Sequence, residues 1–320
     1  MAEVVLVHGI GQQQGSADTL ERDWVPELAG GVRTAGSPDL ADRLWRDTRS
    51  PGGISTRMAF YGDLFLTAGR MGTDEEDLTA EQRQLAEQLA GEWLARTATR
   101  ASRPADREVA ELELAYLSGP IGQEQGIRAL FRSALAGAAR IPWFARAGLN
   151  AAQLVNRSLT QVTRYLTDGD LRARAIARVA DHVDETTRMI IGHSLGSVVA
   201  YEAIHQHSWK LPLLVTLGSP LGLRTVVYDR TRPQPPAYPA TVRRWVNIAD
   251  PDDIIAAAPD LNTMFGSALP TGCCFDGGYT VDNGAKPHTA SFYLTKTITG
   301  LAVAEALNAP PGLPLSVRIW

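Results

Sequence analysis

Short, continuously apolar runs separated by longer amphipathic stretches set the rhythm of the chain. Val4–Val7 and 213–217 are dominated by Val and Leu and have the length of a strand covered on both faces, and 188–191 and 242–248, in which charged or polar residues intervene, also predict strands. Residues 54–61 alternate well enough to predict a further strand. Helical spacing governs other stretches. Over 81–100 it places Leu85, Leu89, Trp93 and Leu94 on one stripe, and the pattern returns over 106–117, 124–140 and 147–166. Helices are also predicted over 171–183, 198–205 and 290–307. Strand, helix and strand in alternation predict an α/β fold, a mostly parallel central sheet flanked by helices, with its chemistry at the carboxyl edge. The helices over 79–167 have no strand between them. They predict a helical insertion, or lid-like subdomain, ahead of the strand at 188–191 and within a single domain of residues 1–320.

Local punctuation fills in the connections. Asp18 or Thr19 is the expected cap of a short helix running toward Trp24, and Asp170 the expected cap of the helix after the insertion. Residues 32–53 mix Gly, Pro, Asp and Arg and predict a loop with one short helix. Pro233, Pro235, Pro236 and Pro239 predict an irregular excursion, and 258–287 reads as loops enclosing a short hairpin at 278–281. Residues 315–320 are read as an edge strand or packed tail. No internal repeat or low-complexity segment interrupts the pattern.

Charge and composition narrow the function classes. Thirty-five acidic against 31 basic residues give a net charge of -4, which argues against a broad nucleic-acid footprint and supplies no polybasic membrane anchor. No apolar stretch is long enough to span a bilayer and the amino terminus carries no basic leader, so a cytoplasmic protein without a transmembrane segment is expected. Cys273 and Cys274 are adjacent and cannot form an ordinary structural disulfide. No spaced Cys or His cluster suggests a metal site. The glycines from Gly9 to Gly15 lack the dinucleotide-binding spacing, so neither metal nor cofactor is expected.

The candidate chemistry centres on Gly192-His193-Ser194-Leu195-Gly196, where an apolar β-branched run meets a small-residue helix start. Gly192 and Gly196 let strand and helix backbones approach closely, so that Ser194 projects from a sharp turn. A serine nucleophile needs a base, and the base needs a group that fixes its tautomer. Of six histidines, His288 lies in a loop after the last candidate acid and is assigned as base. Asp250, Asp252, Asp253 and Asp276 compete for the acid. Asp253, next to the anchoring Ile254-Ile255, is the first choice and Asp250 the alternative. The developing oxyanion calls for amide donors, assigned to Leu195 and Ile10, with His8 and Gly9 bracing the second. Asp63, at the end of the second strand, is read as a turn or cap. Leu221 and Trp143 are assigned to a substrate pocket.

These residues resemble the α/β-hydrolase superfamily, specifically its lipase/esterase-like serine hydrolases. His8-Gly9 looks like the oxyanion loop, Gly192 to Gly196 like the nucleophile elbow, and Leu217-Gly218-Ser219-Pro220 like the strand end that follows the elbow. Asn247 with Asp250-Pro251-Asp252-Asp253 resembles the acid loop, and His288 the final histidine. The resemblance implies hydrolysis of a small-molecule acyl ester or thioester through an acyl-enzyme at Ser194, the apolar pocket residues favouring a hydrophobic acyl group. It leaves open an amidase or peptidase, an acyltransferase, and a non-catalytic interaction protein on the same fold. Oligomeric state is not legible in the chain.

Overall fold

A computed structural model describes residues 1–48, 50–66, 78–118, 151–256 and 258–309, with backbone alone over 117–118 and 151–157. Its strands are β1 (Val4–Val7), β2 (Thr56–Ala59), β3 (Met189–His193), β4 (Leu211–Leu217), β5 (Val242–Ala249) and β6 (Cys274–Thr280). They form one sheet in the order β2-β1-β3-β4-β5-β6, and every neighbouring pair is parallel. The helices are α1 (Ala17–Thr34), α2 (Pro38–Trp45), α3 (Ala80–Arg100), α4 (Pro104–Ser118), α5 (Ala151–Thr167) and α6 (Gly169–Ala180). They continue with α7 (Leu195–His207), α8 (Asn262–Phe265), α9 (Ala290–Leu294) and α10 (Thr297–Asn308).

The period-two geometry of the strands divides the core into two layers. Val4, Leu6, Met58, Ile191, Leu213, Val215 and Val246 join α1, α2 and α10 on one face. Val5, Val7, Ile190, Leu214 and Trp245 join α3, α5, α6 and α7 on the other. Both faces are therefore covered, which explains why the central strands read as unbroken apolar runs. The chain leaves β1 toward β2 on one side and later returns to β3 on the other. The crevice beyond the carboxyl ends of β1 and β3 is thus the topological switch point, where open α/β sheets place their ligands.

Several expectations need correction. The helix starting near Asp18 runs to Thr34 through Pro26 and is capped by Ser16, whose hydroxyl accepts from the Thr19 amide while Thr19 Oγ1 accepts from the Ser16 amide. Residues 32–53 accordingly carry the end of α1 and all of α2. The cap of α6 is Asp168, which accepts from the amides of Asp170 and Leu171 at 3.0 Å each; Asp170 lies inside the helix. No hairpin forms at 278–281. Residues 278–280 instead end β6, which pairs in parallel with β5. The last helix is two, broken at Thr295-Lys296. Trp143, the helix expected at 124–140 and the tail at 315–320 lie outside the described residues. Among the described residues no helix is long and apolar enough to cross a membrane.

Candidate active site

The turn from β3 to α7 puts Ser194 at φ 53°, ψ −130°, a left-handed backbone that a non-glycine residue adopts only when its surroundings enforce it. The surroundings are tight. A Cβ on Gly196 would stand 2.3 Å from the carbonyl oxygens of both Val7 and His8, and one on Gly192 would stand 2.6 Å from Ser197 Cα. Only hydrogen at these positions lets the first turn of α7 lie against the end of β1. The Ser194 amide donates to the Leu217 carbonyl at 3.0 Å, tying the turn to the end of β4. Ser197 Oγ sits 2.6 Å from the Ser194 carbonyl and 2.6 Å from Ser219 Oγ, packing the strand end that follows.

Ser194 Oγ lies 3.0 Å from His288 Nε2, and His288 Nδ1 lies 2.8 Å from Asp253 Oδ2. A carboxylate can only accept, so Nδ1 carries the proton of neutral His288 and Nε2 offers its lone pair to the serine hydroxyl. Asp253 has no exposed side-chain surface, yet its oxygens are fully engaged. Oδ1 accepts from the amides of Ile255 and Ala256 at 3.0 and 3.3 Å, and Oδ2 accepts from the Tyr293 hydroxyl at 2.8 Å as well as from His288. A buried carboxylate needs such a set of donors to remain charged.

The other carboxylates offered by the sequence have different partners. Asp250 accepts from the amides of Asp252 and Asn283 at 2.8 and 2.5 Å, while its own amide donates to the Tyr293 hydroxyl at 2.8 Å. It therefore ties the acid loop to the loop that carries His288, and Asn283 Nδ2 extends the tie to the Pro287 carbonyl at 2.9 Å. Burial raises the Asp250 carboxyl to about 6, against the two amide bonds. Asp252 accepts from the backbone and hydroxyl of Ser102, and Asp276 pairs with Arg244 at 2.7 Å. Asp63 sits in a single 3₁₀ turn and bridges to Arg178 at 2.9 Å, away from these groups.

Two side chains at the site carried no sequence signal. Tyr293, fully buried, joins the two loops through one hydroxyl, and burial with the Asp253 charge beside it holds its pKa well above the ordinary phenol value. His193 turns away from Ser194, but its Nε2–H donates to the His288 carbonyl at 3.0 Å and its ring lies 4.6 Å from the His288 ring. Burial, reinforced by the neighbouring His288, pushes His193 well below the ordinary imidazole value, so it acts as a neutral prop. The signal for either was a partner in space, not a spacing along the chain.

The loop after β1 lies against the serine, since a Cβ on Gly9 would stand 2.7 Å from Ser194 Cβ. His8 braces this loop: Nδ1–H donates to the Gly9 carbonyl at 2.7 Å, Nε2 accepts from the Tyr61 amide at 3.1 Å, and the Tyr61 ring stacks on it at 4.2 Å. Leu195 contributes the first N–H of α7, one of those a helix leaves without an internal partner. The Ile10 amide, like that of Leu195, has no partner among the described residues.

Burial lowers His8 to about 4, partly offset by its bond to Gly9. The unfolded chain takes up this proton near pH 6.5 and the folded chain only near 4, so the stability linked to His8 is present above pH 6.5 and is lost as pH falls toward 4. Between pH 7 and 5 the loss is about 2 kcal/mol. Asp250 has the opposite sign: its contribution is present below about pH 4 and lost as pH rises through 6. Urea unfolding of wild type and His8→Gln at both pH values separates the two. The variant is expected to lose about 2 kcal/mol less on acidification, and an equal loss in both proteins refutes a neutral, buried His8.

Leu221, in a 3₁₀ turn after β4, has no exposed surface and belongs to the core. Its side chain therefore braces a strand end rather than walling an open cavity. Among the described residues no group of three or more His, Cys, Asp or Glu side chains is arranged to hold a metal ion. Comparison of the chain with protein-family models, curated proteins and solved structures finds no match.

Proposed function

We propose that the protein is a serine hydrolase of the α/β-hydrolase type that cleaves carboxylic ester or thioester bonds through an acyl-enzyme at Ser194. The observation that carries this reading is the continuous chain from Ser194 through His288 to Asp253, at 3.0 and 2.8 Å, with the serine held at φ 53° on a strand-to-helix turn. His288 accepts the Ser194 proton as Oγ attacks the acyl carbon. The amides of Leu195 and Ile10 stabilise the oxygen anion that forms, and His288 then protonates the departing alcohol or thiol. Water, giving a proton to the same nitrogen, attacks the acyl-enzyme, and His288 returns that proton to Ser194 Oγ as the acid leaves. Asp253 keeps the imidazole in the productive tautomer throughout. In this reading α3, α4 and α5 belong to an insertion beside the site. Three contacts support that placement: Gln161 of α5 on the loop after β1, Ser102 on Asp252, and Arg96 on the Gly222 carbonyl.

A fluorophosphonate probe tests the reading directly. Stoichiometric adduct mapped to Ser194, together with turnover of short acyl p-nitrophenyl esters or acyl thioesters, is the expected result. Folded protein that neither labels nor turns over any such substrate overturns it.

A further inference from the structure

We infer that Gln161, locked by Gln13, is a positioning residue for the Ile10 oxyanion donor, so that α5 takes part in the reaction from outside the triad; this rests on the hydrolase reading above. The loop concerned is soft by composition. Gly9 and Gly11 flank Ile10, Gly11 sits at φ +79°, and glycine on both sides leaves the direction of the Ile10 N–H unspecified by the backbone itself.

Two side chains remove that freedom. His8 Nδ1–H holds the Gly9 carbonyl at 2.7 Å. Because a trans peptide is planar, anchoring that carbonyl on one side turns the N–H of Ile10 to the other. The next peptide plane is held from the opposite direction: the Gly11 N–H donates to Gln161 Oε1 at 2.8 Å. Successive planes on both sides of the Ile10 Cα are thereby fixed.

The Gln161 amide is fixed in turn. The Gly11 N–H can only donate, so Oε1 faces it, and Nε2 is left to donate to Gln13 Oε1 at 3.0 Å. Gln161 is 1 % exposed and Gln13 6 %, so no solvent competes for these bonds. A buried amide that loses its partner keeps the desolvation cost, and this gives the chain Gln13, Gln161, Gly11 a single favoured arrangement. The Gly11 amide and Gln161 are 150 residues apart in sequence, and Gln161 belongs to a helix that contributes nothing to the triad. An oxyanion donor is worth its full effect only when aimed before the charge develops, and misplacement by about 1 Å costs about 10²-fold.

The test uses Gln161→Leu and Gln13→Leu, with kcat and KM for a short acyl p-nitrophenyl ester and the affinity of phenylboronic acid, which forms a tetrahedral adduct on a reactive serine. Gln161→Leu is expected to lower kcat by about 10- to 100-fold with KM within about threefold, and to weaken the boronate by a similar factor. Gln13→Leu is expected to lose about three- to tenfold in kcat, and the double variant to be no worse than Gln161→Leu alone. A folded Gln161→Leu protein with wild-type kcat and boronate affinity overturns the inference while leaving the hydrolase reading intact. If Gln161→Leu does not fold, Gln13→Leu decides, and wild-type kcat there overturns it. Wild-type protein that neither labels nor turns over ester removes the hydrolase reading and the inference with it.

Discussion

His288→Ala is expected to fold like the wild-type protein and to hydrolyse esters about 10⁶-fold more slowly. Among the described residues its side chain is the only group placed within 3.0 Å of Ser194 Oγ that can accept its proton, and its loss leaves a serine hydroxyl with no base to activate it. Asp253→Asn is expected to cost about 10⁴-fold through a different route. The asparagine oxygen can replace Oδ1 as acceptor for the Ile255 and Ala256 amides, which turns its NH₂ toward His288 and Tyr293. The imidazole must then accept at Nδ1 and carry its proton at Nε2, pointing an N–H at the serine instead of a lone pair. Single-turnover rates with a chromogenic ester, alongside circular dichroism to verify folding, measure both. An Asp253→Asn protein with wild-type rates would remove Asp253 from the site.

Gly196→Val is expected to destabilise the fold by about 3–5 kcal/mol, seen as a fall in the melting temperature on the order of 10 °C. A Cβ at this position meets two main-chain oxygens at 2.3 Å, those of Val7 and His8, and neither can swing aside as a side chain would. The strand end and the helix start would have to separate. Gly91→Ala in α3 is the contrasting case. There a Cβ meets nothing within 4 Å, and the substitution is expected to add about 0.5–1 kcal/mol of stability by removing backbone freedom from the unfolded chain. Thermal unfolding of both variants reads the difference in sign. A Gly196→Val protein as stable as wild type would mean that the turn is not closely packed.

The apolar runs Val4–Val7 and 213–217 were legible because strands buried on both faces must be apolar at every position, and β1 and β4 lie where those runs fall. The serine turn was legible for a related reason: close backbone approach requires glycine at fixed offsets, and Gly192 and Gly196 stand at those offsets. The length of α1 was not: the expected helix ran only toward Trp24, whereas packing of Leu28, Ala29 and Val32 into the core carries it through Pro26 to Thr34. The Asp168 cap was one aspartate away from the expected Asp170, a choice that only hydrogen-bond geometry makes. β6 was missed because its sequence, Cys-Phe-Asp-Gly-Gly-Tyr-Thr, has the glycines and partial exposure of an edge strand. Tyr293, His193, Gln13 and Gln161 act through contacts between residues distant in sequence, and no local pattern marks a glutamine whose partner is 150 residues away.

The parallel strand order has a kinetic consequence. Every step from one strand to the next is a crossover, and the groups around Ser194 come from stretches 94, 35 and 150 residues apart. Such contacts repay the entropy of closing their loops only after most of the sheet has formed, so they belong to the late part of folding. A chain still emerging, or one arrested with β5 and β6 unpaired, holds Ser194 without His288 beside it. If Ser194 is the nucleophile proposed above, the topology keeps it chemically silent until the carboxyl-terminal third of the molecule has docked.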